Sequence, residues 1–164
     1  MASLSKKLTH LCAAILSACL LLAGIADAAF CTHKHANLHL NDQGVLEMDH
    51  KALQKCPKVK WPMSSNIGVE GAKALANELK INTKTFWLWL YNNGVESEGA
   101  EAIALALADH DHTLKTISLY GNDIRARGAR AFGVMLTRNH KMQELFLGAN
   151  SIGDDGVRAL AEGW

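Results

Sequence analysis

Glycine falls at positions 71, 99, 128 and 156, at intervals of 28, 29 and 28 residues. The apolar residues Ile67, Val95, Ile124 and Ile152 keep the same three intervals. Two independent ladders in step mean that one structural unit recurs along the chain. Its clearest copy runs from Leu88-Trp89-Leu90-Tyr91-Asn92-Asn93-Gly94-Val95 into Gly99-Ala100-Glu101-Ala102-Ile103-Ala104. The skeleton returns as Ile117-Ser118-Leu119, Asn122-Asp123-Ile124 and Gly128-Ala129-Arg130-Ala131-Phe132, then as Leu145-Phe146-Leu147, Asn150-Ser151-Ile152 and Gly156-Val157-Arg158-Ala159-Leu160-Ala161. A weaker copy is Asn66-Ile67 with Gly71-Ala72-Lys73-Ala74-Leu75-Ala76. Such units stack on their neighbours, and none can bury its apolar side alone.

Within a unit, apolar residues two apart put Leu88 and Leu90, Ile117 and Leu119, and Leu145 and Leu147 on one face of a strand. Leu75, Ala76 and Leu79, then Ile103, Ala104 and Leu107, then Phe132 and Leu136, sit at helical spacing. Small residues at 72, 74, 76, 100, 102 and 104 suit a helix held close behind a sheet. Asn93, Asn122 and Asn150 leave each strand where an amide side chain can bond the turn backbone. Gly71, Gly99, Gly128 and Gly156 are expected to ease the turn into each helix.

The L-x-L-x-x-N-x-I strand and turn, followed by Gly-Ala-x-Ala-Leu-Ala, resembles the leucine-rich repeat, whose period of ~20–29 residues pairs a short strand with a helix. The long period and the helix start are similar to the ribonuclease-inhibitor-like subclass, also present in NOD-like receptors and, with a GALA signature, in some bacterial effectors. The resemblance covers residues 59–164. It implies an α/β solenoid, a short horseshoe arc of about 3–4 repeats with a parallel β-sheet on the concave face and helices on the convex face. Fold alone fixes no site.

Strand alternation leaves residues 87, 89 and 91 facing outward on the sheet. Carrying the period through predicts three columns: Val59, Trp87, Thr116, Glu144; then Trp61, Trp89, Ser118, Phe146; then Met63, Tyr91, Tyr120, Gly148. In this register Lys60 and Pro62 take the strand leucine positions of the first unit, and Ser65 takes the asparagine position. Proline cannot donate to a ladder, so the first strand is expected at an edge. The chain reaches Trp164 inside the fourth helical run, which implies a truncated last repeat and a longer reading frame, or pairing through that end.

Ahead of the repeats, Lys6 and Lys7 precede the apolar run Leu11–Ile25, and Ala26-Asp27-Ala28 has the form of a cleavage site. This reads as a secretory signal peptide over 1–28, too short for a span of ~20 residues. The expected location is therefore secreted or periplasmic, with no stable membrane span after removal. An uncleaved anchor, or lipid on Cys19 of Leu16-Ser17-Ala18-Cys19, is the alternative. Cleavage leaves Cys31 and Cys56, an expected disulfide worth ~3 kcal/mol in an oxidising compartment. The segment 29–58 then reads as an N-terminal cap, with a degenerate strand and turn over Leu38–Val45 and a short helix over Leu46–Leu53. Histidines at 33, 35 and 39 beside Cys31, and Asp109-His110-Asp111-His112, match no metal motif, and a polar surface explains them.

The whole chain carries a net charge of +1, and removing residues 1–28 leaves 15 basic and 15 acidic residues. No basic stripe suggests nucleic acid. Neither a Gly-x-Ser-x-Gly nor a His-Glu-x-x-His sequence occurs, no loop has the form of a phosphate cradle, and no cofactor is expected. What rises above fold is the collection of rings on one predicted surface: Trp61, Trp87, Trp89, Tyr91, Tyr120 and Phe146, with Ser118 and Glu144 among them. Such residues dominate interface hot spots. The expected function is non-catalytic capture of a protein or peptide on the concave face. A carbohydrate or surface-polymer binder, or a piece of a larger receptor or effector, is the alternative.

Overall fold

The computed structural model describes residues 31–32, 39–40, 46–47, 50–108 and 113–164. The expected leader (1–28), His33, His35 and the run Asp109-His110-Asp111-His112 lie outside these residues. In chain order the elements are β1 (Cys31–Thr32), β2 (His39–Leu40), β3 (Leu46–Glu47), α1 (His50–Leu53), β4 (Lys58–Lys60), α2 (Gly68–Leu79), β5 (Trp87–Trp89), α3 (Glu96–Ala108), β6 (Thr116–Ser118), α4 (Arg125–Leu136), β7 (Glu144–Phe146) and α5 (Gly153–Gly163). Among the described residues no helix is long and apolar enough to cross a membrane.

From β4 onward strand and helix alternate, so each of these strands pairs parallel with the next through a helical crossover. The sheet order is β1-β4-β5-β6-β7, and the register aligns Val59, Leu88, Ile117 and Leu145 in one inward row. Trp61, Leu90 and Leu119 form the next inward row, each N–H donating to the carbonyl of Trp89, Ser118 and Phe146 on the following strand. Behind them Leu75, Leu79, Ile103, Leu107, Phe132 and Met135 close the core from the helices. Each such buried side chain contributes about 1.5–3 kcal/mol of transfer free energy. The architecture is an α/β solenoid with its sheet on one side and its helices on the other.

At the turns the three aligned asparagines are buried and fully used. Asn122 Oδ1 accepts from the backbone N–H of Asn93 (2.9 Å) and Val95 (3.2 Å). Its Nδ2 donates to the carbonyls of Leu90, Leu119 and Tyr120. Asn150 repeats the pattern for Asn122 and Ile124, and Asn93 Oδ1 accepts from Ser65. Left-handed residues, with φ between 49° and 70°, shape the turns at 64, 66 and 68, at 92, 94 and 96, at 121, 123 and 125, and at 149, 151 and 153.

Four sequence expectations are corrected here. Gly71, Gly99, Gly128 and Gly156 do not make the turns; each is the fourth residue of its helix. For the last three the role is close approach: a Cβ on Gly99 would lie 2.7 Å from Ala72 Cβ, one on Gly128 would run into Ile124 Cγ2, and one on Gly156 would lie 3.0 Å from Ala129 Cβ. Second, β4 is not an edge strand, because β1 pairs with it, aligning Cys31 with Val59. Pro62 lies beyond β4, where no ladder bond is lost. Third, Leu46–Glu47 is a strand paired antiparallel with β2 rather than the start of a helix, and α1 begins only at His50.

The fourth correction is the register of the first unit. Lys58 aligns with Trp87, Val59 with Leu88 and Lys60 with Trp89, an interval of 29, whereas the turns at 64 and 92 are 28 apart. One additional residue therefore sits between strand and turn: Pro62-Met63 stands where later units have a single residue, Tyr91, Tyr120 or Gly148. A one-residue slip exchanges the faces of a strand. Val59 and Trp61, not Lys60 and Pro62, fill the inward positions, and Trp61 is 3% exposed.

Candidate partner-binding face

The outward rows follow from that register. One runs Lys58, Trp87, Thr116, Glu144 and the next Lys60, Trp89, Ser118, Phe146. Trp61, expected on this face, belongs to the core. The other expected residues lie on the outward side of the sheet or just past its strands.

Trp87 and Trp89 stack with ring centroids 5.6 Å apart and planes 26° from parallel. Trp89 and Tyr91 continue the stack at 5.7 Å and 15°. Tyr91 meets Tyr120 edge to face at 6.2 Å, and Tyr120 crosses Gly148, where a Cβ would lie 2.9 Å from its ring. Trp87, Trp89 and Tyr91 are half-buried by this mutual packing, while Tyr120 and Phe146 are about half exposed, at 50% and 49%. Trp87 and Trp89 of β5 and Tyr91 just past it thus supply three stacked rings, flanked by Tyr120 just past β6 and Phe146 of β7.

Polar groups are few within this surface. Thr116 Oγ1 donates to Glu144 Oε2 at 3.0 Å. Ser118 is buried between the Trp89 and Phe146 positions, and its Oγ has no hydrogen-bond partner among the described residues. The ammonium groups of Lys58 and Lys60 stand over Trp87 (4.9 Å) and Trp89 (5.3 Å). A cation over an indole face is attracted by the ring quadrupole, so the rings fix two positive charges at the margin of the patch. Among the described residues no group of three His, Cys, Asp or Glu side chains could hold a metal ion. Displaced titrations occur instead at exposed ion pairs of the helices and turns. The hydrogen bond from Arg125 holds the Asp123 carboxyl below its usual range, and the bond to Glu70 lifts Lys73 above its own.

Two features escaped the sequence reading, each with a signal in plain view. Lys58-Val59-Lys60-Trp61 alternates polar and apolar, which by itself puts both lysines outward. A second asparagine position lies where the chain enters a strand: Asn82 Oδ1 accepts from Lys84 and Thr85, and Asn139 Oδ1 accepts from Lys141 and Met142. Asn82, Asp111 and Asn139 fall on the 29- and 28-residue intervals that Thr85, Leu114 and Met142 also keep.

A family model described as Leucine Rich repeat matches residues 110–133 and 138–161. It is a leucine-rich-repeat protein. The human NACHT, LRR and PYD domains-containing protein 13 is 30% identical over 96 residues, 58% of this chain and 9% of that protein. The pig ribonuclease inhibitor is 26% identical over 125 residues, 75% of this chain and 27% of the inhibitor. The bovine NACHT, LRR and PYD domains-containing protein 5 is 27% identical over 112 residues, 68% of this chain and 10% of that protein. The chain spans about a tenth to a quarter of the length of these relatives. The leucine-rich repeats here are ribonuclease-inhibitor-like, and that likeness points to a protein-binding repeat module.

Proposed function

We propose that this leucine-rich-repeat protein is exported, non-catalytic, and binds a protein or peptide partner on the outward face of its sheet. The observation that carries the reading is the run of rings from Trp87 through Trp89 and Tyr91 to Tyr120, with Phe146 beside it. Rigid aromatics supply large contact area at low entropic cost, and a contiguous ring surface on a folded chain marks an interaction site. Glu144 supplies its exposed polar contact, whereas Ser118, also expected to contact the partner, is buried beneath the rings. The pig relative is named for inhibiting an enzyme, itself a protein partner.

The test is capture of partners on immobilised protein, compared with Trp89→Ala combined with Tyr91→Ala. The expected result is loss of capture with an unchanged circular-dichroism spectrum; undiminished capture by the folded variant refutes the proposal. Near-parallel stacking of Trp87, Trp89 and Tyr91 also suits sugar faces. Tryptophan fluorescence titrated with glycans separates that reading, and no shift with any glycan removes it.

Export rests on residues 1–28 serving as a cleaved leader, followed by a cap over 29–58 and repeats over 59–164. The Cys31–Cys56 disulfide belongs to the same reading, supported by the burial and disulfide bonding of Cys56 and by the Cys31–Val59 pairing. Mass spectrometry of the mature chain should give an N-terminus just after Ala28, and a non-reducing peptide map a Cys31–Cys56 link. A retained or lipid-bearing N-terminus would place the chain on a membrane instead.

A further inference from the structure

Where the strands begin, a cleft of about 860 Å³ opens beside Trp87. Phe86 and Trp87 form its apolar wall, and Lys84, Lys115, His140 and Lys141 stand around it. The repeat arranges these groups in two rows. Lys84, Thr113 and Lys141 occupy equivalent positions of successive units, as do Phe86, Lys115 and Gln143. With strands ~4.8 Å apart, the three ammonium groups come from three successive units and surround one opening. Lys58 Nζ, 5.8 Å from the Phe86 ring and 4.9 Å from that of Trp87, adds a fourth cation at the shared wall.

These charges are segregated rather than a sign of a basic chain, since the net charge is only +1. On the helical side Lys73 pairs with Glu70 and Glu98, and Arg127 with Glu98 and Glu101. Lys84 and Lys115 form no ion pair among the described residues, and the described lining of the cleft holds no carboxylate. Cations of one sign around a concavity with apolar walls focus the local field and select an anionic occupant.

We infer that this cleft receives an acidic segment of a polypeptide partner. Its carboxylates meet Lys84, Lys115 and Lys141, and an apolar side chain rests on Phe86 and Trp87. An apolar wall and cations spread over only three units suit a short acidic and apolar peptide. A nucleic-acid backbone calls for a longer track of cations. The inference rests on the proposed protein-binding role of the sheet face and gives the partner its charge.

The experiment is fluorescence anisotropy of a short labelled Glu/Asp peptide carrying one Phe, with a Lys-substituted peptide as control. The protein is the wild type or Lys84→Glu combined with Lys115→Glu, both of which side chains are exposed. The wild type is expected to bind the acidic peptide and not the control. Affinity should drop as salt shortens the screening length to ~8 Å and below, and charge reversal should cost about tenfold or more. Equal affinity for the acidic peptide in the folded charge-reversed variant overturns the inference, as does no binding at all. Tighter binding of a single-stranded oligonucleotide of matched charge, lost in the same variant, overturns it too and assigns the cleft to phosphates. If partner capture still needs Trp89 and Tyr91 while the lysine variant changes nothing, only the acidic-segment inference falls.

Discussion

Asn122 shows how much of this fold hangs on single amide groups. Its side chain meets five backbone groups, two N–H donors and three carbonyls, at a buried turn. Asn122→Ala removes them all and leaves buried polar atoms without partners, each costing about 1–3 kcal/mol. We expect a loss of at least 2 kcal/mol in urea denaturation, of the order of two such orphaned groups. Trp61 and Phe146 make a second contrast. Trp61→Ala should cost about 3–5 kcal/mol, as for a fully buried ring. Phe146→Ala, at a half-exposed position, should stay within about 0.5 kcal/mol of wild type, as for an ordinary surface change. Similar costs for both would contradict the register.

The asparagine and apolar ladders were legible because they recur without interruption. The fixed period misplaced Trp61, because the first unit carries one additional residue at Pro62-Met63; only the local alternation of Lys58-Val59-Lys60-Trp61 pointed to its inward face. Between Trp61 and Ser64 the count changes, and only the backbone bonds to Trp89 and Asn92 reveal where.

Helices in this chain are held at backbone distance, and the helical glycines serve that packing. The glycine ladder was visible in the sequence but its purpose was not, since a residue list does not say how closely two helices approach. Contact is tightest between α4 and α5, where a Cβ on Gly133 would overlap the carbonyl of Ala159 and one on Gly163 the carbonyl of Gly133. Backbone cannot swing aside as a long side chain can. Gly133→Ala should therefore destabilise by about 1–3 kcal/mol, although alanine is the better helix former. A stabilised variant in thermal denaturation would show that α4 and α5 are not in contact there. The cap is the element the sequence described least well, because 2-residue strands such as β2 and β3 carry too few residues for any period to show.

Taken together, the stacked units turn an almost neutral composition into a molecule with two unlike sides. Glutamates and basic residues neutralise one another along the helices, while rings and lysines gather on the sheet. That division was half legible: alternation exposed the rings, but the convergence of Lys84, Lys115 and Lys141 needs the loops between helix and strand, which no local pattern describes. The central claim is that one curtain of rings faces solvent while Trp61, a chemically similar residue nearby, is enclosed. Hydroxyl-radical footprinting of the folded chain tests it most directly. Oxidation is predicted at Tyr120 and Phe146, with partial reaction at Trp87, Trp89 and Tyr91 and protection of Trp61. A reactive Trp61 together with protected Tyr120 and Phe146 would contradict it.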